Sequence, residues 1–286
     1  MNTTLTPPPV TPTPAGPPPS EPSRSGAPRV IAIVAIVIGA IVIVGTMATA
    51  VVQTVVSASV HTSVRTADAA GVDELSVDVS AGALRVEFGT VSEAELQVTS
   101  SWGADRWILE RNGDRLIVST PDRFWRWFPW GWDDHGGEAV LRLPASLRGL
   151  DADLSLAAGE LQADGEFGRL EVAVSAGRAD VTGSADAVTV DLSAGTGDIE
   201  LEGVQTAQLG MSAGSLTTRL TGAQPQSVGV DVSAGSLSLS VPDGDYAVTS
   251  EVSAGGFDNR IGSQPQATST IDVSVSAGQV VLRSAD

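Results

Sequence analysis

Along most of its length this chain alternates apolar and polar residues with a period of two, stops at a small-residue turn, and resumes the alternation. The run Val188-Thr189-Val190-Asp191-Leu192 leads into Ser193-Ala194-Gly195, and Asp198-Ile199-Glu200-Leu201-Glu202 follows it. Val, Leu and Ile at every second position, with Asp, Glu, Ser and Thr between them, predict strands that have one buried and one wet face. The turns end at Gly82, Gly159, Gly177, Gly195, Gly214, Gly235, Gly255 and Gly278, seven of them after Ser-Ala and one after Ala157-Ala158.

From Gly159 onward the turns recur every 18 to 23 residues. That period is typical of solenoids and leaves room for two or three short strands per repeat. Glycine suits a sharp bend through positive φ. Ser and Ala before it are small enough to stack on their counterparts in the next coil, about 4.8 Å away. The expected fold class is all-β, a single-domain β-solenoid or β-helix-like stack of short strands with Ser-Ala-Gly corners. A meander of antiparallel hairpins would show the same alternation, but it would not require the same three-residue word once in every period.

Between Gly82 and Gly159 the word lapses. Strand patterns persist at Glu95-Leu96-Gln97-Val98, Trp107-Ile108-Leu109, Arg115-Leu116-Ile117-Val118 and Ala139-Val140-Leu141, around an insertion spanning about 102–138 that holds all six tryptophans. Phe124, Trp125, Trp127, Phe128, Trp130 and Trp132 form an aromatic run broken by Pro129 and Gly131, and these six are the candidate binding residues. Two readings stand side by side. The rings cover the open first coils of the stack, or they project as a contact loop toward the membrane interface, a sugar or a protein.

The N-terminal part is of another kind. Residues 1–28 are mostly Pro, Thr, Ser and Gly, a composition that cannot bury enough surface to fold, and read as a disordered Pro-rich cytoplasmic tail. Residues 29–56 read as a transmembrane helix. Val30 to Val52 carries no charge, and about 23 residues at 1.5 Å each reach about 34 Å, enough to cross a hydrocarbon core of about 30 Å. The lipid bilayer is thus an expected partner. Arg24 and Arg29 precede the span and acidic sequence follows it, which keeps the N-terminus cytoplasmic and exports the rest. Ala48-Thr49-Ala50 resembles a signal-peptide cleavage site, so removal of this segment is the rival reading. Residues 57–71 read as a stalk, and 72–286 as the extracytoplasmic domain.

Charge and composition narrow the function classes. Cysteine and lysine are absent, which rules out disulfide staples, thiolate nucleophiles and cysteine metal sites. The exported part sets 13 arginines against 33 acidic residues, a net charge of −20. Such a surface repels nucleic acid, and no nucleic-acid partner is expected. The two histidines, His61 and His135, have no evident base or nucleophile beside them in sequence, so no catalytic residue is assigned. Asp133-Asp134-His135 lacks a second cluster to complete a metal shell, so no metal and no cofactor is expected.

The segment Val140-Leu141-Arg142-Leu143-Pro144-Ala145-Ser146-Leu147, followed by alternating strands with recurrent Ser-Ala-Gly, resembles the bacterial adhesin-like domain of unknown function also called the toastrack domain. The resemblance spans about residues 72–283. It implies a β-solenoid outside the cytoplasmic membrane, often tethered by one helix and associated with envelope-stress sensing or adhesion-like contact, without agreed catalytic residues. The Trp-rich insertion departs from the family pattern. The expected function is that of a non-enzymatic, single-pass membrane-anchored cell-envelope protein, with a cell-wall polymer, an envelope protein or another copy of itself as partner. The alternative is a carbohydrate-active enzyme on a parallel β-helix, which requires carboxylates converging on one face; in the sequence the acids look scattered.

Overall fold

The computed structural model describes residues 61–100, 107–120 and 137–285. The chain divides into two units at Val55–Val56, and every described residue lies in the second. The expected tail at 1–28 and membrane helix at 29–56 fall outside the described residues, among which no helix is long and apolar enough to cross a membrane.

Among the described residues the alternation becomes fifteen strands of one sheet. β1 (His61–Ala67), β2 (Glu74–Val79), β3 (Gly82–Gly89), β4 (Ala94–Ser100), β5 (Ile108–Asn112), β6 (Arg115–Ser119) and β7 (Glu138–Pro144) precede a short 3-10 turn at Ala145–Leu147. β8 (Leu150–Glu202) and β9 (Thr206–Thr221) run on through successive corners. β10 (Ser227–Val232), β11 (Ser236–Val241), β12 (Tyr246–Val252), β13 (Gly255–Asn259), β14 (Ser269–Val275) and β15 (Gly278–Ser284) complete the chain.

Two strand passages joined by a corner make one coil, and neighbouring coils pair in parallel, residue beside residue. Val190 lies beside Leu209, Leu209 beside Val230, and Val230 beside Val273. All four are buried. On the other passage Leu216, Leu237 and Val280 form an equivalent row. Each such side chain contributes roughly 1.5–3 kcal/mol on burial, so the core is a set of apolar rows running along the stack. Gly197 faces inward where a Cβ would come within 2.6 Å of Leu216 Cδ1, leaving that leucine its space.

The corner glycines form a column. In space their order is Gly82, Gly159, Gly177, Gly195, Gly214, Gly235, Gly278 and Gly255, with φ between 106 and 145°. A Cβ on Gly214 would be driven into the carbonyl oxygen of Gly195, and the later corners repeat that contact. The corner therefore needs glycine twice over, for its backbone angle and for the missing atom. A second bend, with positive φ, lies in three of the coils at Gly183, Gly203 and Gly222, a feature absent from the sequence reading.

Coil order in space departs from chain order at both ends. The β6–β7 coil lies outside the β2–β3 coil, whose other side is taken by β8. Antiparallel strands close that end, β5 on β6, β4 on β7 and β1 on β4. β1 corrects the expectation of a stalk at 57–71. Thr62, Val64 and Thr66 are β-branched, and His61–Ala67 pairs along its whole length with β4, so this polar segment is held by ladder bonds rather than by burial. The hairpin β5–β6 likewise occupies the middle of the insertion expected at 102–138.

At the other end the last coil of the chain, β14–β15, is inserted between β10–β11 and β12–β13. The connection after β13 then covers part of the outer edge of β12. The Ser263 hydroxyl accepts from the Val248 N–H at 3.0 Å and donates to the Val248 carbonyl at 3.3 Å, and the Gln264 N–H donates to the Tyr246 carbonyl at 2.7 Å. Such cover limits edge-to-edge pairing between molecules.

Tyr246, the only tyrosine in the chain, seals this end. Its ring is buried and its hydroxyl donates to the Pro242 carbonyl at 2.9 Å. Burial, with the Asp243 carboxylate adding to it, pushes the phenol up to about 12. The folded chain then holds this proton up to about pH 12, whereas the unfolded chain releases it near pH 10. Between those values the unfolded state binds fewer protons, so stability falls as pH rises through this window. Phenolate absorbance should titrate near pH 12 in the folded chain and near pH 10 in denaturant. A midpoint near 10 in both would mean that this end of the stack is open.

Candidate functional site

Parallel register brings outward-facing residues from distant repeats into rows across the coils. One row contains Thr189, Gln208, Gly229, Asp272 and Thr249, each beside the next. The next row along the strands contains Asp191, Gly210, Asp231, Ser274 and Glu251. All of these but Asp191 and Gly210 line a groove of about 850 Å³ on the outer face of the stack. Gly229 contributes no side chain of its own to the floor.

The walls are polar and tied to one another. Gln208 Nε2 donates to Asp231 Oδ2 at 3.1 Å, with its amide lying over Gly229. Asp191 leans over Gly210, its Oδ1 standing 2.5 Å from where a Cβ would be. The Thr249 hydroxyl donates to Asp272. At one end Arg169 reaches Asp151, with its Nη1 at 3.5 Å from Oδ2. The groove thus offers hydroxyls, one amide, one guanidinium and three carboxylates, Asp231, Glu251 and Asp272. This corrects the impression of scattered acids, because these three come from separate repeats and meet only through the register. Among the described residues no three metal-ligating side chains converge in a way that could hold a metal ion.

The candidate aromatic residues Phe124, Trp125, Trp127, Phe128, Trp130 and Trp132 lie outside the described residues. The points where their segment leaves and rejoins the stack are within them. Thr120 and Gly137 flank the place in the β6–β7 coil where other coils carry Ser-Ala-Gly. The Thr120 N–H donates to the Asp78 carbonyl and the Ala83 N–H to the Gly137 carbonyl, both at 3.0 Å. The Thr120 hydroxyl accepts from the Ser80 N–H at 2.8 Å. Ser100, where β4 ends, abuts Gly137. Trp107 is buried and belongs to the core.

No protein-family model and no curated protein matches the chain. Solved structures similar to it include a proposed cell adhesion protein from Clostridium sporogenes, 13% identical, covering 79% of this chain and 100% of its own, with a TM-score of 0.39. A proposed adhesin from Bacteroides fragilis is 11% identical, with 78% and 97% coverage and a TM-score of 0.41. A proposed lipid binding protein from Parabacteroides distasonis is 10% identical, with 79% and 97% coverage and a TM-score of 0.34. The all-β fold is read from strand register and the corner column alone.

Proposed function

We propose that this chain is a non-enzymatic cell-envelope protein, anchored by one membrane helix at residues 29–56, that holds a β-solenoid outside the cytoplasmic membrane to contact an envelope partner or sense envelope stress. The observation that carries the reading is the end coil. Where other coils turn tightly through Ser-Ala-Gly, this one departs at Thr120 and returns at Gly137, and the intervening sixteen residues carry four tryptophans and two phenylalanines. A corner that the fold closes with three small residues elsewhere is here given to aromatic side chains suited to contact. The uncharged stretch Val30 to Val52 supports the anchor.

The convergence of Asp231, Glu251 and Asp272 in one groove keeps the glycan-cleaving enzyme as a second reading. One experiment separates them. The full chain in mild detergent is incubated with insoluble cell-wall polymer and spun down. The binding reading expects co-sedimentation, a loss of at least tenfold when Trp125, Trp127, Trp130 and Trp132 are all replaced by alanine, and no new reducing ends. Release of reducing or unsaturated ends that stops in Asp231→Asn would establish the enzyme instead.

A further inference from the structure

We infer that the outer-face groove is a subsite for a β-1,4-linked glycan strand lying parallel to the stacking axis. This rests on the reading of the chain as a binder of an envelope polymer and names the site and the ligand chemistry.

The first argument is periodicity. Asp231 and Glu251, which line the groove, share one row with Asp191, which continues that row outside the lining, and the three are separated by Gly210 and Ser274, so carboxylates recur every second coil, about 9.6 Å apart. A β-1,4-linked chain advances by roughly one inter-strand spacing per sugar and turns each sugar over relative to the last. Groups on the same face therefore recur at about twice that spacing, which matches the acid row. The groove crosses six coils from Arg169 to Thr249, about 24 Å and room for about five sugars.

The second argument is the chemistry of the lining. Carboxylate oxygens of Asp231, Glu251 and Asp272 accept from sugar hydroxyl or N-acetyl N–H groups, and such charge-assisted bonds are the stronger kind. Threonine and serine hydroxyls and the Gln208 amide serve either role. An extended peptide gains less here. The backbone N–H and C=O groups of the inner coils beneath the groove are already committed to the coil ladder, which leaves strand addition only the outer edge of β12, partly covered by Ser263 and Gln264. Gly229 adds no side chain of its own between Gln208 and Asp272, so a ring settling there displaces only the flexible Gln208 amide that lies over it.

The test measures binding of a soluble β-1,4-linked N-acetylglucosamine hexamer to the full chain in mild detergent, by calorimetry. An α-1,6-linked glucose hexamer, spermidine and calcium are run beside it. Two variants probe the groove: Asp231→Asn removes one charge of the row, and Gly229→Leu raises the floor. The backbone at Gly229 needs no positive φ, and the side chain it would meet is the movable end of Gln208, so a native melting profile is expected. Saturable hexamer binding, weakened at least tenfold by either variant and retained in the four-tryptophan variant, supports the inference. Equal binding of the α-1,6 hexamer, or binding only of spermidine or calcium, overturns it. If the hexamer fails while cell-wall polymer still sediments with the chain, the groove assignment falls and the binding function stands. If neither binds, both fall.

Discussion

Replacing Gly214 by alanine is expected to destabilise the stack by about 3 kcal/mol, most of it from a single added methyl group. The backbone there has φ 119°, a region that costs an L-residue on the order of 1–2 kcal/mol. The new Cβ would also be forced into the Gly195 carbonyl oxygen, an overpacking worth roughly 1–3 kcal/mol because the neighbouring backbone is itself held by the next coil. Gly203→Ala is the control. Its φ is 78°, yet nothing lies within 4 Å of where its Cβ would be, so only the conformational cost of about 1 kcal/mol applies. In thermal melts Gly214→Ala should lose roughly 10 °C and Gly203→Ala a third of that. Equal losses would mean that Gly214 is selected by angle alone and that its coil does not press on the one before.

Deleting residues 269–286 has a larger expected effect than removal of a chain end ordinarily has. The deletion takes away Ile271, Val273, Val275, Val280 and Leu282, all buried, at about 2 kcal/mol each and about 10 kcal/mol together as an upper estimate. That is comparable with the whole stability of a typical domain. Because β14 lies between β10 and β12, its loss unpairs both. Hydrogen exchange should show Ser227–Val232 and Tyr246–Val252 losing protection together. Protection lost in only one of these strands would indicate that the final coil is a true terminus of the stack.

What could be read from the sequence follows from what each position must satisfy. The corner word was visible because a glycine with positive φ and a neighbouring carbonyl in place of open space admits one residue type, so Gly177, Gly195 and Gly214 repeat without variation. The alternation was visible because Val188, Val190 and Leu192 all face inward. The second turn was not recognised. Its glycines are unevenly constrained, since Gly183 meets the Gly165 carbonyl, Gly222 meets Glu202 and the Gly203 backbone nitrogen, and Gly203 meets nothing, so no fixed word surrounds them, although a glycine six to eight residues after the corners at Gly159, Gly177, Gly195 and Gly214 was there to be noticed.

Coil order was hidden for a different reason. The outward edges of β10, β12 and β14 offer the same parallel ladder, and period-two alternation carries no label saying which coil sits next to which. The sequence therefore placed the coils in chain order by default, and the connection from Arg260 to Thr268, with Ser263 bonding back to Val248, is what reverses the last two. β1 was missed because His61–Ala67 buries little and reads as polar linker. The groove was missed because Asp231, Glu251 and Asp272 are twenty or more residues apart in the chain and become neighbours only once register is known.

The central claim is that successive coils lie over one another in register, with β14–β15 between β10–β11 and β12–β13. Disulfide mapping tests it directly in a chain without native cysteine. Ser236 lies beside Gln279, and Gln279 beside Gly256. Bridged cysteines need Cα atoms about 4.4–6.8 Å apart, which adjacent coils meet and coils two apart, at about 9.6 Å, do not. Ser236→Cys with Gln279→Cys should oxidise to an intramolecular disulfide, and Ser236→Cys with Gly256→Cys should not. The opposite result would place the coils in chain order, and a failure of both pairs would mean that the corners do not form a column.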